Sequence, residues 1–342
     1  MTAGRIESVE LRAVVEDGEP VQLVVLHTDT GERGTGELAG APGWPLVEPS
    51  VPALTRLLAG CDPFDQAEIV ARATASEDGT ISEPVMVAAV TAALADLVGR
   101  DLGVPLCRLL GGQVRDHIPV CAVDWAGDAS SPGEFAQAAR RIVAAGFATI
   151  RLDLDVAPAI PWVAAEVVGA VREAVPDVRL VTRAGAAWST SQTLQLLRAA
   201  PGLDILWLEA SAASTTAALR RLAERAPVAL AAGRELRPEA VDALAGAGLV
   251  DHLVLDPGTV GGLRRARELA ALAEIHHTDV VAVGSGGSRS LALALQLAAA
   301  IPNLAVVEAR PRQLAVTDGV VPVDLAPGLN ELAHSISGGI AA

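Results

Sequence analysis

The chain has 342 residues, is 51% hydrophobic but only 2% aromatic, and carries a formal net charge of −15. That charge repels phosphate backbones and argues against a nucleic-acid partner. No apolar run is long enough for a membrane span, and Arg5, Glu7 and Glu10 interrupt any signal-peptide pattern, so a cytoplasmic protein with no membrane partner is expected.

In chain order, residues 4–39 read as a three-stranded meander. Its strands are Ile6–Val14, Val21–His27 and Arg33–Glu37, with an acidic turn at Glu16–Glu19. Gly40–Trp44 is a loop. Helical periodicity follows at Ser50–Ala59, Pro63–Ala73 and Glu83–Arg100, the last with Val87, Val90, Leu94 and Leu97 on one face. Residues 1–113 are therefore expected to form an α+β unit. From Ile118 the rhythm changes to strand then helix. The strands are Pro119–Asp124, Ala148–Asp155, Val178–Arg183, Ile205–Glu209, Val228–Ala232, His252–Asp256, Val280–Val283 and Ala305–Glu308. Eight strands with helices between them predict an α/β fold of the (β/α)-barrel type over residues 114–312. An open doubly wound sheet is the alternative, but Asp124-Trp125-Ala126-Gly127 is not its glycine-rich phosphate loop. Residues 313–342 hold one short strand pattern and are expected to return to the N-terminal unit.

The C-terminal strand tips of such a barrel are where ligands bind. Arg183 stands at one tip, in a segment that runs into a helix capped by Ser189. The second barrel strand alternates Ile150, Leu152 and Leu154 with Arg151, Asp153 and Asp155. A parallel strand covered on both faces is normally apolar throughout, so charge here points into the barrel mouth, as a site or as buried ion pairs. Asp124 and Glu308 end the first and last strands, and either hydrogen-bonds a substrate or pairs with an arginine. Ser285-Gly286-Gly287-Ser288, before a helix at Leu291–Ala300, offers backbone N–H groups to an anion. The cysteines, Cys61, Cys107 and Cys121, have no metal or redox spacing. All 26 basic residues are arginine, which excludes lysine as a base or Schiff-base former.

The motifs Ala92–Arg100, Gly103–Leu106 and Leu109–Gly112, with Gly146-Phe147, Gly261-Gly262, Ala299–Asn303, Asp318-Gly319 and Pro327–Leu329, are similar to those of the enolase superfamily, in its mandelate racemase/muconate lactonizing enzyme branch. The resemblance spans nearly the whole chain. It implies a barrel with an N-terminal α+β cap and proton abstraction next to a carboxylate. It also implies magnesium held by three strand-tip acids, with bases from a Lys-x-Lys or an Asp/His pair. At those positions this chain has Arg183, Glu209 and Arg234 for the acids and Arg151-Leu152-Asp153 for the Lys-x-Lys. Asp256 is kept without its histidine partner. Glu235 neighbours the third metal position, but strand alternation turns it away. Arg151, Arg183 and Arg234 balance Asp153, Glu209 and Asp256, so guanidinium groups are expected to take the place of the cation, with no metal and no other cofactor.

On this reading the candidate catalytic residues are Asp153, Asp256 and Arg151, the last as fixed charge rather than base. Arg183, Arg234, Glu209, Asp124, Ser285, Glu308 and Trp44 are the candidate substrate contacts, and the partner is a small carboxylate. Three functions stay open: a metal-independent isomerase, epimerase or lyase; an inactive binding or scaffold protein; and an ordinary magnesium enzyme using Glu209 and Glu235. The resemblance also implies that the N-terminal unit covers the barrel mouth, so that the Glu16–Glu19 turn and the Gly40–Trp44 loop touch the ligand. Homo-oligomerisation is implied by the resemblance alone.

Overall fold

The computed structural model describes residues 4–16, 19–39, 51–75, 84–156, 159–199, 202–210, 215–234, 238–323 and 325–329. The whole Gly40–Trp44 loop, Trp44 included, and Glu235 lie outside the described residues.

The cap begins with an antiparallel sheet in the order β1 (Ile6–Glu16), β2 (Glu19–Thr28), β3 (Arg33–Glu37). Alternation puts Val24 and Leu26 on the face that packs with Ile6 and Val9 against α1 (Val51–Leu58), α2 (Gln66–Ala75) and α3 (Pro84–Leu102). The strand β3 lies directly on α3. Added methyl groups at Gly34 and Gly36 would collide with the carbonyl oxygens of Ala93 and Ala89, so only glycine permits that approach. Asp96 of α3 is fully buried and accepts N–H bonds from Thr35 at 2.9 Å and Leu329 at 2.8 Å, besides pairing with Arg100.

After the short α4 (Leu106–Leu109) the chain alternates β4 (His117–Ala122), α5 (Pro132–Ala144), β5 (Thr149–Asp153), α6 (Pro161–Ala174), β6 (Arg179–Arg183), α7 (Thr190–Ala199), β7 (Ile205–Glu209), α8 (Thr216–Ala223), β8 (Ala229–Ala232), α9 (Pro238–Ala247), β9 (His252–Leu255), α10 (Leu263–Ile275), β10 (Asp279–Ala282), α11 (Ser288–Ala300) and β11 (Leu304–Ala309). The strands pair parallel in sequence order, and Val307 of β11 pairs with Val120 of β4 to close an eight-stranded barrel. A last strand, β12 (Val320–Pro322), runs antiparallel beside β4. Local signals set the helix starts: Ser131 and Glu134 form a capping box, and Ser189 accepts the Gln192 N–H. Alternate strand residues face outward onto the helices or inward onto a barrel core of Cys121, Val181, Trp207, Ala231, Val254, Val281 and Val306.

Two local expectations are corrected. The second barrel strand ends at Asp153, not Asp155, because Leu154–Val156 turns into a 3-10 helix. Asp155 therefore leaves the alternation and lies exposed, its carboxylate against Gly185, where a methyl group would overlap it. Helix α11 begins at Ser288 rather than Leu291, because carboxylates satisfy the amides of its first turn.

Candidate active site

The barrel mouth is one strand step above the apolar core. Asp153 follows Arg151, Arg183 follows Val181, Glu209 follows Trp207 and Glu308 follows Val306, each two residues on and so on the same inward face. Register puts these tips side by side, with Asp153 opposite Arg183 and Arg183 opposite Glu209. Arg234 reaches the mouth by another route. Strict alternation from inward Ala231 would send it outward. Gly233, at φ 136° and with no room for a methyl group beside the Val254 carbonyl, redirects the chain.

These side chains form one ion-pair network. Arg234 grips Glu209 with a fork, Nε to Oε1 at 2.6 Å and Nη2 to Oε2 at 2.7 Å, and its Nη2 also reaches Glu308 at 2.7 Å. From below, Arg151 donates Nη1 to Glu308 at 2.5 Å and forks onto Asp153 at 2.8 and 3.0 Å. Arg151, Glu209 and Glu308 keep only 4%, 3% and 5% of their side-chain surface exposed, so these are desolvated charges that need one another. Arg183 is more open, 23% exposed, with its Nε 3.8 Å from Glu209. The Trp125 indole donates to the Arg151 carbonyl at 2.6 Å and holds β5 in place.

The protonation states follow from this packing. Burial alone would lower the Arg151 pKa, but Glu308, Asp153 and Glu209 outweigh it and keep the guanidinium charged. Burial likewise opposes the charge on Glu308, yet Arg151 and Arg234 pull its carboxyl down to about 2. Asp256, at 1% exposure, has no such direct fork. Burial raises its carboxyl above the usual range, while the N–H groups of Ser285 at 2.8 Å and Gly258 at 2.7 Å offset part of the cost.

The sequence-predicted residues thus divide. Arg151, Asp153, Arg183, Glu209, Arg234 and Glu308 come together, and Asp256 stands beside them through the field of Arg234. Glu308 pairs with arginine, one of its two anticipated uses. Asp124, at φ 52°, pairs with Arg310 at 3.0 Å and lies outside the network. Adding Glu308 to the expected balance gives four acids against three arginines; the raised carboxyl of Asp256 is the one least committed to charge.

Ser285–Ser288 does meet anions, but they come from the chain itself. Glu37, ending β3, accepts from the N–H groups of Gly287 and Ser290. Glu16, ending β1, accepts from Ser288 N–H at 3.0 Å and its hydroxyl at 2.7 Å, and pairs with Arg289. Burial raises the Glu37 carboxyl to about 7 despite its two amide donors. Sequence reading brought the Glu16–Glu19 turn to the mouth but missed Glu37, and it paired neither acid with this helix start. Their signal was present: an acid at the end of each of two cap strands and a glycine-rich helix start in need of an anion.

The fold and mouth define a capped (β/α)-barrel with charged strand tips. The family model described as "Enolase C-terminal domain-like" matches residues 134–330, and the chain belongs to the enolase superfamily. Its relatives include D-xylonate dehydratase of Haloferax volcanii, 28% identical and covering 93% of this chain and 82% of that protein. D-galactonate dehydratase of Variovorax paradoxus is 30% identical, covering 80% and 73%. Among solved structures, an enolase superfamily member from Salmonella Typhimurium superposes with a TM-score of 0.84 at 21% identity, covering 98% of each chain. At that identity the likeness shows the fold alone.

Proposed function

We propose that this protein is a metal-independent lyase or isomerase acting on a small hydroxylated carboxylate. The observation that carries this reading is the fork of Arg234 on Glu209, with Glu308 shared between Arg234 and Arg151. A divalent ion does not fit this donor set. Magnesium needs several free oxygen ligands, and both Glu209 oxygens accept from a guanidinium. Among the described residues no group of three or more His, Cys, Asp or Glu is placed to hold a metal.

The chain's own residues supply an alternative. Arg183, 23% exposed, and Arg234 line the mouth and are the groups that would hold a substrate carboxylate. Asp256 is the better base of the two candidates. Neutral amides hold it and burial raises its carboxyl, whereas a full cation forks onto Asp153. A proton next to the substrate carboxylate passes to Asp256, and the electron pair left behind spreads into an enediolate beside the two guanidinium groups. The dehydratase names of the relatives, D-xylonate and D-galactonate dehydratase, support a polyhydroxy acid as the substrate class. A cytoplasmic setting and homo-oligomeric assembly remain part of this proposal. Among the described residues no helix is long and apolar enough to cross a membrane.

A second reading, binding without turnover, is favoured by one observation. Every carboxylate oxygen of Asp153, Glu209, Glu308 and Asp256 already accepts a bond from within the protein. Calorimetry and turnover assays on C4 to C6 hydroxy acids separate the two. Binding lost in Arg183→Ala and turnover lost in Asp256→Asn support the enzyme. Binding without turnover of any bound acid supports the second reading. Stoichiometric magnesium in protein purified with excess of that ion overturns the metal-independent site.

A further inference from the structure

Asp256 is held from the cap as well as from the barrel. Each of its carboxylate oxygens accepts one amide, Gly258 N–H at 2.7 Å on Oδ1 and Ser285 N–H at 2.8 Å on Oδ2. Gly258 lies in the loop after β9, and Ser285 in the turn before α11. The end of one cap strand braces both segments. Glu37, the last residue of β3, accepts from Gly287 N–H and, at 2.9 Å, from Ser290 N–H. Those two amides belong to the turn that begins at Ser285. Two residues on, Ala39 packs so closely on Gly258 that a methyl group there would come within 2.4 Å of the Ala39 Cβ. The same methyl group would lie 3.1 Å from Asp256 Oδ1 and 3.6 Å from the Ser290 hydroxyl. Ser290 is 1% exposed, and among the described residues its hydroxyl has no hydrogen-bond partner. Ser290 thus holds Glu37 through its amide and faces the Asp256 loop through its hydroxyl.

We infer that Glu37 is a positioning residue for Asp256. It acts without touching the ligand. From the cap it fixes the turn that gives the base its Ser285 donor, while Ala39 fixes the loop that gives it the other. Burial raises the Asp256 carboxyl, and Ser285 is the strongest influence against it, so a loosened turn would change how the base ionises. The charged groups that face Glu37 from the elements around it are Glu16 of β1 and Arg289 of α11. The inference deepens the proposed function and rests on it for the reaction that Asp256 serves.

The test reads Asp256 itself, by carboxyl carbon NMR on the full chain with labelled Asp and Glu, using Asp256→Asn for assignment. In the wild type the Asp256 carbon should show its own titration step and a second, smaller one that coincides with the step of Glu37. In Glu37→Gln the second step should vanish, and Asp256 should titrate about half a pH unit higher, the worth of one loosened amide bond. Loss of the Glu37 charge alone would move Asp256 the other way, so an upward move reports the turn. On C4 to C6 hydroxy acids, Glu37→Gln should lose roughly tenfold or more in kcat per folded molecule, with KM little changed. An Asp256 step that stays put or drops in Glu37→Gln, or an unchanged kcat, overturns the inference. So does the absence of the second step in the wild type, which decides the matter where the variant does not fold. If the wild type turns over none of these acids, the lyase or isomerase reading falls, and the titration still decides whether Glu37 governs Asp256.

Discussion

Two clusters of buried carboxylates meet their charges in opposite ways. In the barrel mouth Glu308 lies between two guanidinium groups, and its carboxyl is drawn down to about 2. At the junction of cap and barrel Glu37 faces helix amides, and burial lifts its carboxyl to about 7. Both are almost wholly buried, at 6% and 2% exposure, so burial is not the difference. Full cations outweigh desolvation, whereas the partial charges of two N–H groups do not. The mouth is thus committed to its ionic state, and the junction carries the group that titrates near neutral pH.

The comparison breaks first at Glu308. Glu308→Gln removes the acceptor shared by Arg151 and Arg234 and should cost about 3–5 kcal/mol, because two buried guanidinium groups then face each other. Chemical denaturation measures it, and a loss under about 1 kcal/mol would mean the mouth is more hydrated than its packing shows. The pH dependence sharpens the contrast. The ordinary glutamate value is 4.5. The contribution of Glu308 is complete above 4.5 and is lost as pH falls toward 2. The contribution of Glu37 is complete below 4.5 and is lost as pH rises through about 7. Between pH 5 and 8 wild type should therefore lose roughly 1–3 kcal/mol that Glu37→Gln does not lose; parallel curves would show that Glu37 stays ionised throughout. The smallest effect belongs to Glu16. Burial opposes its charge, but Ser288 and Arg289 hold its carboxyl below the usual range. Glu16→Gln should cost about 1 kcal/mol, as for a partly exposed acid at a helix start, and its thermal shift should shrink in high salt.

Much of the fold was legible because alternation and helix periodicity repeat without interruption from Ile118 onward. The barrel strand Ile205–Glu209 and the cap strand Arg33–Glu37 were read to the residue. The overlong second barrel strand shows the limit. Leu154 and Asp155 keep the alternation in letters, but the chain turns at Leu154 to place Asp155 against Gly185, a contact 30 residues away that no window contains. In the mouth, Arg151 with Asp153 and Arg183 beside Glu209 followed from strand position. The central role of Glu308 did not, because it depends on barrel closure between β11 and β4. The pairing of Glu16 and Glu37 with the 285–290 turn was invisible for a similar reason. Glu37 is 250 positions from Gly287, and Glu16 is 272 from Ser288.

The two glycines of β3 have a mechanical consequence. With Gly34 and Gly36 pressed onto the α3 backbone, no side-chain layer cushions the strand that ends in Glu37. A single methyl group at Gly36 must displace the whole ribbon by an ångström or more. That displacement travels one residue to the carboxylate and, through the 284–290 turn, toward Asp256. A cap substitution remote from any ligand should thus act as a wedge under the seventh barrel loop.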